Sequence, residues 1–298
     1  ELTLIDQYET IKIHQMPMLG FLLFILPNII VFLYLCYNKM AGMELKKILF
    51  SILMMASIPF MYEIERGNIL ILSFNLCFLF LLFYDSSNKY LREISYICLA
   101  FSAAIKIYPA IFGLLLLKQK RFKDSIRLCL YGIASFFIPF ALWGGIDAIP
   151  LFIRNNFSEI ERLGETHKNF NISFKTTINY IQNILGTNIN VNLILVIILI
   201  FSLITFFLLK KESAEILCLS VLLVGLPTTN YTYTAIFLIP AILYILNDTT
   251  TDKFDYLCLF FLVLSLFALP INFYSDIDRR TLYWDTISPF TIQQMFSV

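Results

Sequence analysis

The sequence predicts an all-α polytopic membrane protein of about ten transmembrane helices, forming a single domain over residues 1–298. Three observations carry that prediction. Hydrophobic residues make up 59% of the 298 positions and charged residues only 14%, with a mean hydropathy of +0.77. Apolar runs long enough to cross a ~30 Å hydrocarbon core recur along the whole length and leave no room for a soluble domain. Lysine and arginine gather in alternate connections, as membrane topology requires. A net charge of +1 with no basic stripe excludes nucleic acid as an expected partner. Cys36, Cys77, Cys98, Cys129, Cys218 and Cys258 lie in or beside apolar runs without a CxxC pair, so no metal or disulfide is expected of them.

The chain opens on Glu1 without a signal peptide or initiating methionine and reads as a fragment lacking its natural N-terminus. A first span runs over 16–37, with Pro27 as an expected kink. A basic loop with Lys39, Lys46 and Lys47 leads to a second span over 48–62, which ends in Glu63-Ile64-Glu65-Arg66-Gly67-Asn68. A third span covers 69–84, and Lys89 and Arg92 mark the loop after it.

Between Ile94 and Leu117 the only charged side chain is Lys106, within Ala103-Ala104-Ile105-Lys106-Ile107-Tyr108-Pro109. A lysine at the centre of a membrane helix costs roughly 2.5–3.5 kcal/mol on insertion scales, so it is kept where it meets a partner or water. The competing reading is a lysine snorkelling from a helix end. If 94–117 crossed once, the basic loops 85–93 and 118–127 would face opposite sides. Proline disfavours helix at the residue before it and suits the first turn of a new one, so the sequence predicts a hairpin of two short helices, 90–107 and 108–125. The five loops 38–47, 85–93, 118–127, 210–215 and 248–256 then share the inner side and hold 13 of the 22 lysines and arginines.

A run over 128–150 leads to the longest polar stretch, 151–190, expected as a large extracytoplasmic loop. Ile153, Phe157, Ile160 and Leu163 fall at helical spacing and predict an amphipathic helix at the interface, against the alternative of an ordinary surface helix. A span over 191–209 returns to Lys210 and Lys211. Two further spans meet at Pro227-Thr228-Thr229-Asn230-Tyr231, a polar turn expected to sink into a cavity. A last span over 256–273 exposes a tail with Asp276 and Asp278.

The polar groups that this topology gathers on one side are Arg66, Asn68, Lys106, Tyr108, the 167–173 segment and Asn230 to Tyr233. Two cations with amides and phenols in apolar surroundings suit a phosphate carried on a lipid, because low dielectric strengthens each contact. No Walker loop, GxGxxG, HExxH or nucleophile elbow is present, which argues against soluble nucleotide chemistry.

Glu65-Arg66-Gly67-Asn68, Ala104-Ile105-Lys106-Ile107-Tyr108-Pro109-Ala110, Asn169-Phe170-Asn171-Ile172-Ser173 and the Pro-Thr-Thr-Asn-Tyr turn together resemble the multispanning mannosyltransferases of the glycosyltransferase-C superfamily. Two branches are similar: the bacterial enzymes of glycosyltransferase family 87 that use polyprenol-phosphate mannose, and the catalytic subunit of glycosylphosphatidylinositol mannosyltransferase I. The bacterial branch more often has Gly-Gln-x-Asn where this chain has Arg66-Gly67-Asn68-Ile69.

The resemblance implies transfer of a hexose, mannose first, from a polyprenyl-phosphate-sugar donor to a lipid or glycan acceptor on the extracytoplasmic face, with inversion. It implies that Arg66, Asn68, Lys106 and Tyr108 bind the donor lipid phosphate, and that His167, Asn171, Ser173, Asn230 and Tyr231 bind sugar or acceptor. In this superfamily the catalytic carboxylate lies in the first outer loop, which this chain is expected to lack. Asp6 and Glu9 are the candidates nearest that region, while Asp276 and Asp278 form an Asp-x-Asp pair at the other end of the chain. No cofactor or bound metal is expected beyond an assisting divalent cation. Richness in Ile, Phe, Asn, Lys and Tyr points to an AT-rich genome and a bacterial plasma membrane, or the endoplasmic reticulum for a eukaryotic source. The competing readings are a transporter or flippase of lipid-linked saccharide, a polysaccharide polymerase or ligase, and a non-catalytic membrane scaffold.

Overall fold

The computed structural model describes residues 15–142, 144–145, 147–155, 172–187, 189–228 and 230–267. Among these residues the chain is helical, with no β-strand. The helices are α1 (Gln15–Lys39), α2 (Glu44–Met55), α3 (Ile58–Arg66), α4 (Leu70–Phe83), α5 (Lys89–Ile105), α6 (Leu114–Lys118), α7 (Phe122–Leu142), α8 (Phe174–Leu185), α9 (Val191–Leu208), α10 (Glu212–Gly225), α11 (Ile239–Asn247) and α12 (Lys253–Leu266). Two 3-10 segments, Tyr108–Gly113 and Thr232–Leu238, precede α6 and α11.

Proline sets two decisive breaks. In a continuous helix its ring clashes with the carbonyl four residues back. Pro59 lies four residues after Met55, where α2 ends, and Pro109 lies four residues after Ile105, where α5 ends. Both prolines then serve in the first turn of the next helical element.

These breaks correct the expected count of ten spans. Among the described residues three helices are long and apolar enough to cross a membrane, Met18–Lys39, Phe122–Leu142 and Val191–Leu208, and a fourth crossing exists if α2 and α3, bent by 57°, act as one broken span. Within the described residues the remaining apolar runs form shorter helices, and the expected span over 256–273 lies partly outside them. The 14 residues of α4 reach only about 21 Å at 1.5 Å per residue, against a ~30 Å core. The expected helix over 108–125 is likewise a 3-10 segment followed by α6, which stops at Lys118. Beyond a turn with Lys120 at φ 58°, α7 begins.

The chain nonetheless folds back at Lys106. Arg121, after the return, donates to the Tyr84 carbonyl (3.0 Å) and to Asp85 (3.1 Å), beside the start of α5, and pairs with Tyr96 on α5. Loops 85–93 and 118–127 therefore share one end of the bundle. The other basic connections join them there. Lys118 pairs with Glu215 at 2.8 Å, Tyr84 donates to Glu212 at 3.0 Å, Lys211 bridges Asp248 and Asp255, and Asn247 hydrogen-bonds Lys39 and Ala41.

The core centres on α4, buried around most of its circumference through Leu70, Ile71, Ser73, Phe74, Asn75, Cys77, Phe78, Phe80 and Leu81. Phe74 packs against Phe32, Phe78 and Phe237, and Phe32 stacks on Phe60 at 4.2 Å between centroids. Ser73 and Ser102 exchange hydrogen bonds of 2.7–3.0 Å, drawing α4 and α5 together just below Lys106. Asn75 donates to the Asn28 carbonyl (2.9 Å) in the turn after Pro27, which lies inside α1.

The helix expected from Ile153, Phe157, Ile160 and Leu163 falls for the most part outside the described residues. Within the expected outer loop, α8 is instead well defined. Ser173 caps it by accepting from the Thr176 amide, and Gly186 ends it in the left-handed region.

Candidate active site

The end of the bundle opposite the basic loops is built from three irregular segments. The first is the corner between α3 and α4. Gly67 ends α3 at φ 57°, with Asn68 N–H reaching the Glu63 carbonyl, and the Asn68 side chain accepts from the Leu70 amide at 3.1 Å to begin α4. A Cβ on Gly67 would sit 2.8 Å from the Phe21 ring. Gly67→Ala is therefore expected to cost about 2 kcal/mol, combining left-handed strain with the clash. Thermal unfolding in detergent measures it, and an unchanged midpoint would contradict the corner's geometry.

The second segment is the break at Lys106, whose backbone is extended (φ −147°, ψ 123°) between α5 and the 3-10 turn carrying Tyr108 and Pro109. Its ammonium lies 5.4 Å from the Tyr108 ring centroid and 5.1 Å from that of Tyr233, a cation held by two aromatic faces. Lys106 is partly exposed. Burial pushes its ammonium below the usual lysine range, and the negative charge of Glu63 pulls it back up.

The third segment is the turn before the second 3-10 stretch. Tyr231 and Tyr233 stack at 5.5 Å, Tyr233 packs 6.0 Å from Tyr62, and Arg66 lies 4.7 Å over the Tyr62 ring. The Asn68 side chain lies near the Tyr233 hydroxyl, so the α3–α4 corner adjoins the tyrosine ladder. Asn230 is buried, donating to the Val224 carbonyl at 2.6 Å, and its own carbonyl accepts from Ile172 N–H at 2.7 Å. Ser173 Oγ donates to the Thr228 carbonyl at 3.3 Å.

The chain entering α8 is thus docked on this turn, and Phe174 completes the dock. A Cβ on Gly225 would lie 2.3–2.6 Å from three ring carbons of Phe174. Gly225→Ala is expected to expel that ring and cost about 1–2 kcal/mol net of the helix propensity it gains. Faster amide exchange over 172–185, with α4 unchanged, is the measurement that checks it.

Of the residues expected to form the site, the structure brings together Arg66, Asn68, Lys106, Tyr108, Ser173, Asn230 and Tyr231 at one end of the bundle. His167, Asn171, Asp6, Glu9, Asp276 and Asp278 lie outside the described residues. Sequence reasoning missed Glu63, which is 0% exposed and lies within electrostatic reach of Lys106 and Arg66. The signal was its place three residues after buried Phe60, on the inward face of α3. Tyr233 was expected on this side among Asn230 to Tyr233, but not as a ring against Lys106. Among the described residues no group of three or more His, Cys, Asp and Glu could hold a metal ion.

The fold and this end of the bundle define a class: a helical membrane protein with cations, amides and phenols converging at a break in its helices. A family model for glycosyltransferase family 87 matches residues 13–229, more than two thirds of the chain, including both the Arg66-Gly67-Asn68 corner and the Lys106 break. The protein belongs to glycosyltransferase family 87. It is accordingly a membrane glycosyltransferase, acting on a sugar donor and an acceptor. No curated protein and no solved structure matches the chain.

Proposed function

We propose that this protein is a multi-pass membrane mannosyltransferase, moving a hexose from a polyprenyl-phosphate-sugar donor to a lipid or glycan acceptor on the extracytoplasmic face of a bacterial plasma membrane. The observation that carries this reading is the Lys106 ammonium, set between the Tyr108 and Tyr233 rings at the end of the bundle remote from the five basic loops. Those loops mark the cytoplasmic side by their charge, which puts Lys106 and Arg66 on the other.

In this reading the bond between the anomeric carbon and the phosphate oxygen breaks as the acceptor oxygen attacks from the opposite face. The polyprenyl phosphate leaves with the bonding electron pair, and Lys106 and Arg66 stabilise the charge that gathers on it. A carboxylate takes the acceptor proton, with Asp6 and Glu9 as its candidates in this chain. Tyr231, Asn230 and Ser173 line the side where sugar and acceptor would sit, and His167 and Asn171 remain candidates for the same role. An assisting divalent cation is compatible with this scheme.

The test incubates membranes carrying the full-length protein with labelled polyprenyl-phosphate mannose and a lipid extract, beside Lys106→Ala and Arg66→Ala at matched expression. Label passing to lipid or glycan, and falling sharply in both variants, is the expected result. No transfer from mannose or glucose donors, or undiminished transfer in both variants, would overturn the reading in favour of lipid-linked saccharide transport.

A further inference from the structure

Arg66 and Lys106 stand on separate elements, and the structure joins them through aromatic rings. Arg66 lies 4.7 Å over the Tyr62 ring on α3, Tyr62 packs 6.0 Å from Tyr233, and the Lys106 ammonium lies 5.1 Å from the Tyr233 centroid. Tyr231 stacks on Tyr233 at 5.5 Å with 27° between the planes, and Tyr108 approaches Lys106 to 5.4 Å. Among the described residues Tyr233 is the ring that meets both Tyr62 and Lys106. It is 7% exposed, whereas Arg66 is exposed and Lys106 partly so. The cations reach solvent, and the ring between them does not. Its backbone is anchored from elsewhere: all seven residues of Thr232–Leu238 are buried, and Phe237 of that segment packs at 5.5 Å on Phe74 of the core.

We propose that Tyr233 is a positioning residue of the donor site: its ring holds the Lys106 ammonium in place and, through Tyr62, aligns it with the Arg66 guanidinium, so that a lipid-borne phosphate meets two cations already set for it. The assignment rests on the donor-phosphate reading above. Tyr233 is buried and acts through Lys106, so it is not a catalytic residue. A long lysine side chain that must be ordered when its ligand arrives weakens binding by the entropy it loses. Holding the side chain beforehand removes that cost. An aromatic face suits the task because it attracts a cation through the ring quadrupole and leaves the full charge available to an incoming anion. A carboxylate in direct contact would hold the lysine equally well but would compete with the phosphate. The ring, not the hydroxyl, therefore carries the role.

The experiment measures binding of a short-chain polyprenyl phosphate, without sugar, to the purified full-length protein in detergent. Tyr233→Leu is expected to weaken binding about tenfold, through the lost cation–π contact and the ordering it spares. Tyr233→Phe, which keeps the ring, should bind close to wild type. Phenylalanines bearing increasing numbers of fluorines, introduced at position 233 by nonsense suppression, should weaken binding stepwise, because fluorine withdraws charge from the ring face while nearly preserving its shape. A role in packing alone would not produce that gradient. Phe237→Leu, which truncates a buried neighbour on the same segment, should lower the unfolding midpoint and leave binding unchanged. A flat fluorine series, a loss in Tyr233→Phe as large as in Tyr233→Leu, or an equal loss in Phe237→Leu would overturn the assignment. Should Tyr233→Leu fail to fold, the fluorine series decides. A wild type that does not bind polyprenyl phosphate would remove the donor reading and this assignment together, whereas wild-type binding with a flat series removes the assignment alone.

Discussion

Lys106→Ala is expected to lower sugar transfer by roughly 10²–10³-fold, the range found when one preorganised donor to a developing anion is removed. The size follows from the setting. The ammonium is held between two aromatic faces, 5.1 and 5.4 Å from their centroids, where water screens it poorly and where its backbone is fixed by the helix break. Lys106→Arg keeps the charge but alters its geometry, and should retain a measurable fraction of activity. The decisive comparison is the initial transfer rate at saturating donor with expression matched by quantitative blotting. A loss under fivefold for Lys106→Ala would place the phosphate elsewhere.

The second large effect is on stability, at the opposite end. Lys118 offers one ammonium to three acceptors: Glu215 at 2.8 Å and the carbonyls of Phe206 and Leu209, both at the end of α9. Its side chain and that of Glu215 are 15% and 14% exposed, so the pair is largely shielded from solvent. Breaking such a pair by removing one partner strands a carboxylate, here with two carbonyls beside it. Lys118→Met should therefore destabilise the fold by about 3 kcal/mol. The double replacement Lys118→Met with Glu215→Leu should recover much of that loss, since no charge is then left buried. Thermal unfolding in one detergent checks both; equal midpoints for the two variants would show that the stranded carboxylate is not the cause.

Much of this arrangement was legible in the sequence. A lone lysine in an apolar run, three residues before a proline, marks the break at 106–109, because the chain needs a reason to keep the charge and proline supplies the place to turn. Alternating basic loops likewise indicated which connections meet at one end. The number of crossings was not legible from apolar run length, which is blind to where proline ends a helix. Thus 48–62 reads as a single span although Pro59 divides it. Glu63 was hidden for another reason. It stands two residues from Glu65 and three from Arg66, and such a run reads as a solvated turn. Only the geometry of α3 turns Glu63 inward beside Phe60 while Arg66 stays exposed. α8 was concealed by its polar composition, although Ser173 and Gly186 bracket it with ordinary start and stop residues.

The gathering of the basic loops also bears on how the molecule can move. Lys118, Arg121, Lys211 and Asn247 stitch helix ends into a fastened base through ion pairs and hydrogen bonds. The site end is held by packing, by a tyrosine ladder and by the two hydrogen bonds that seat 172–173 on the turn at 228–230. Breathing of the bundle should therefore be lopsided, like a clasp pinned at one side. Opening is therefore expected first where the tyrosines pack, at the end that bears Lys106 and Arg66.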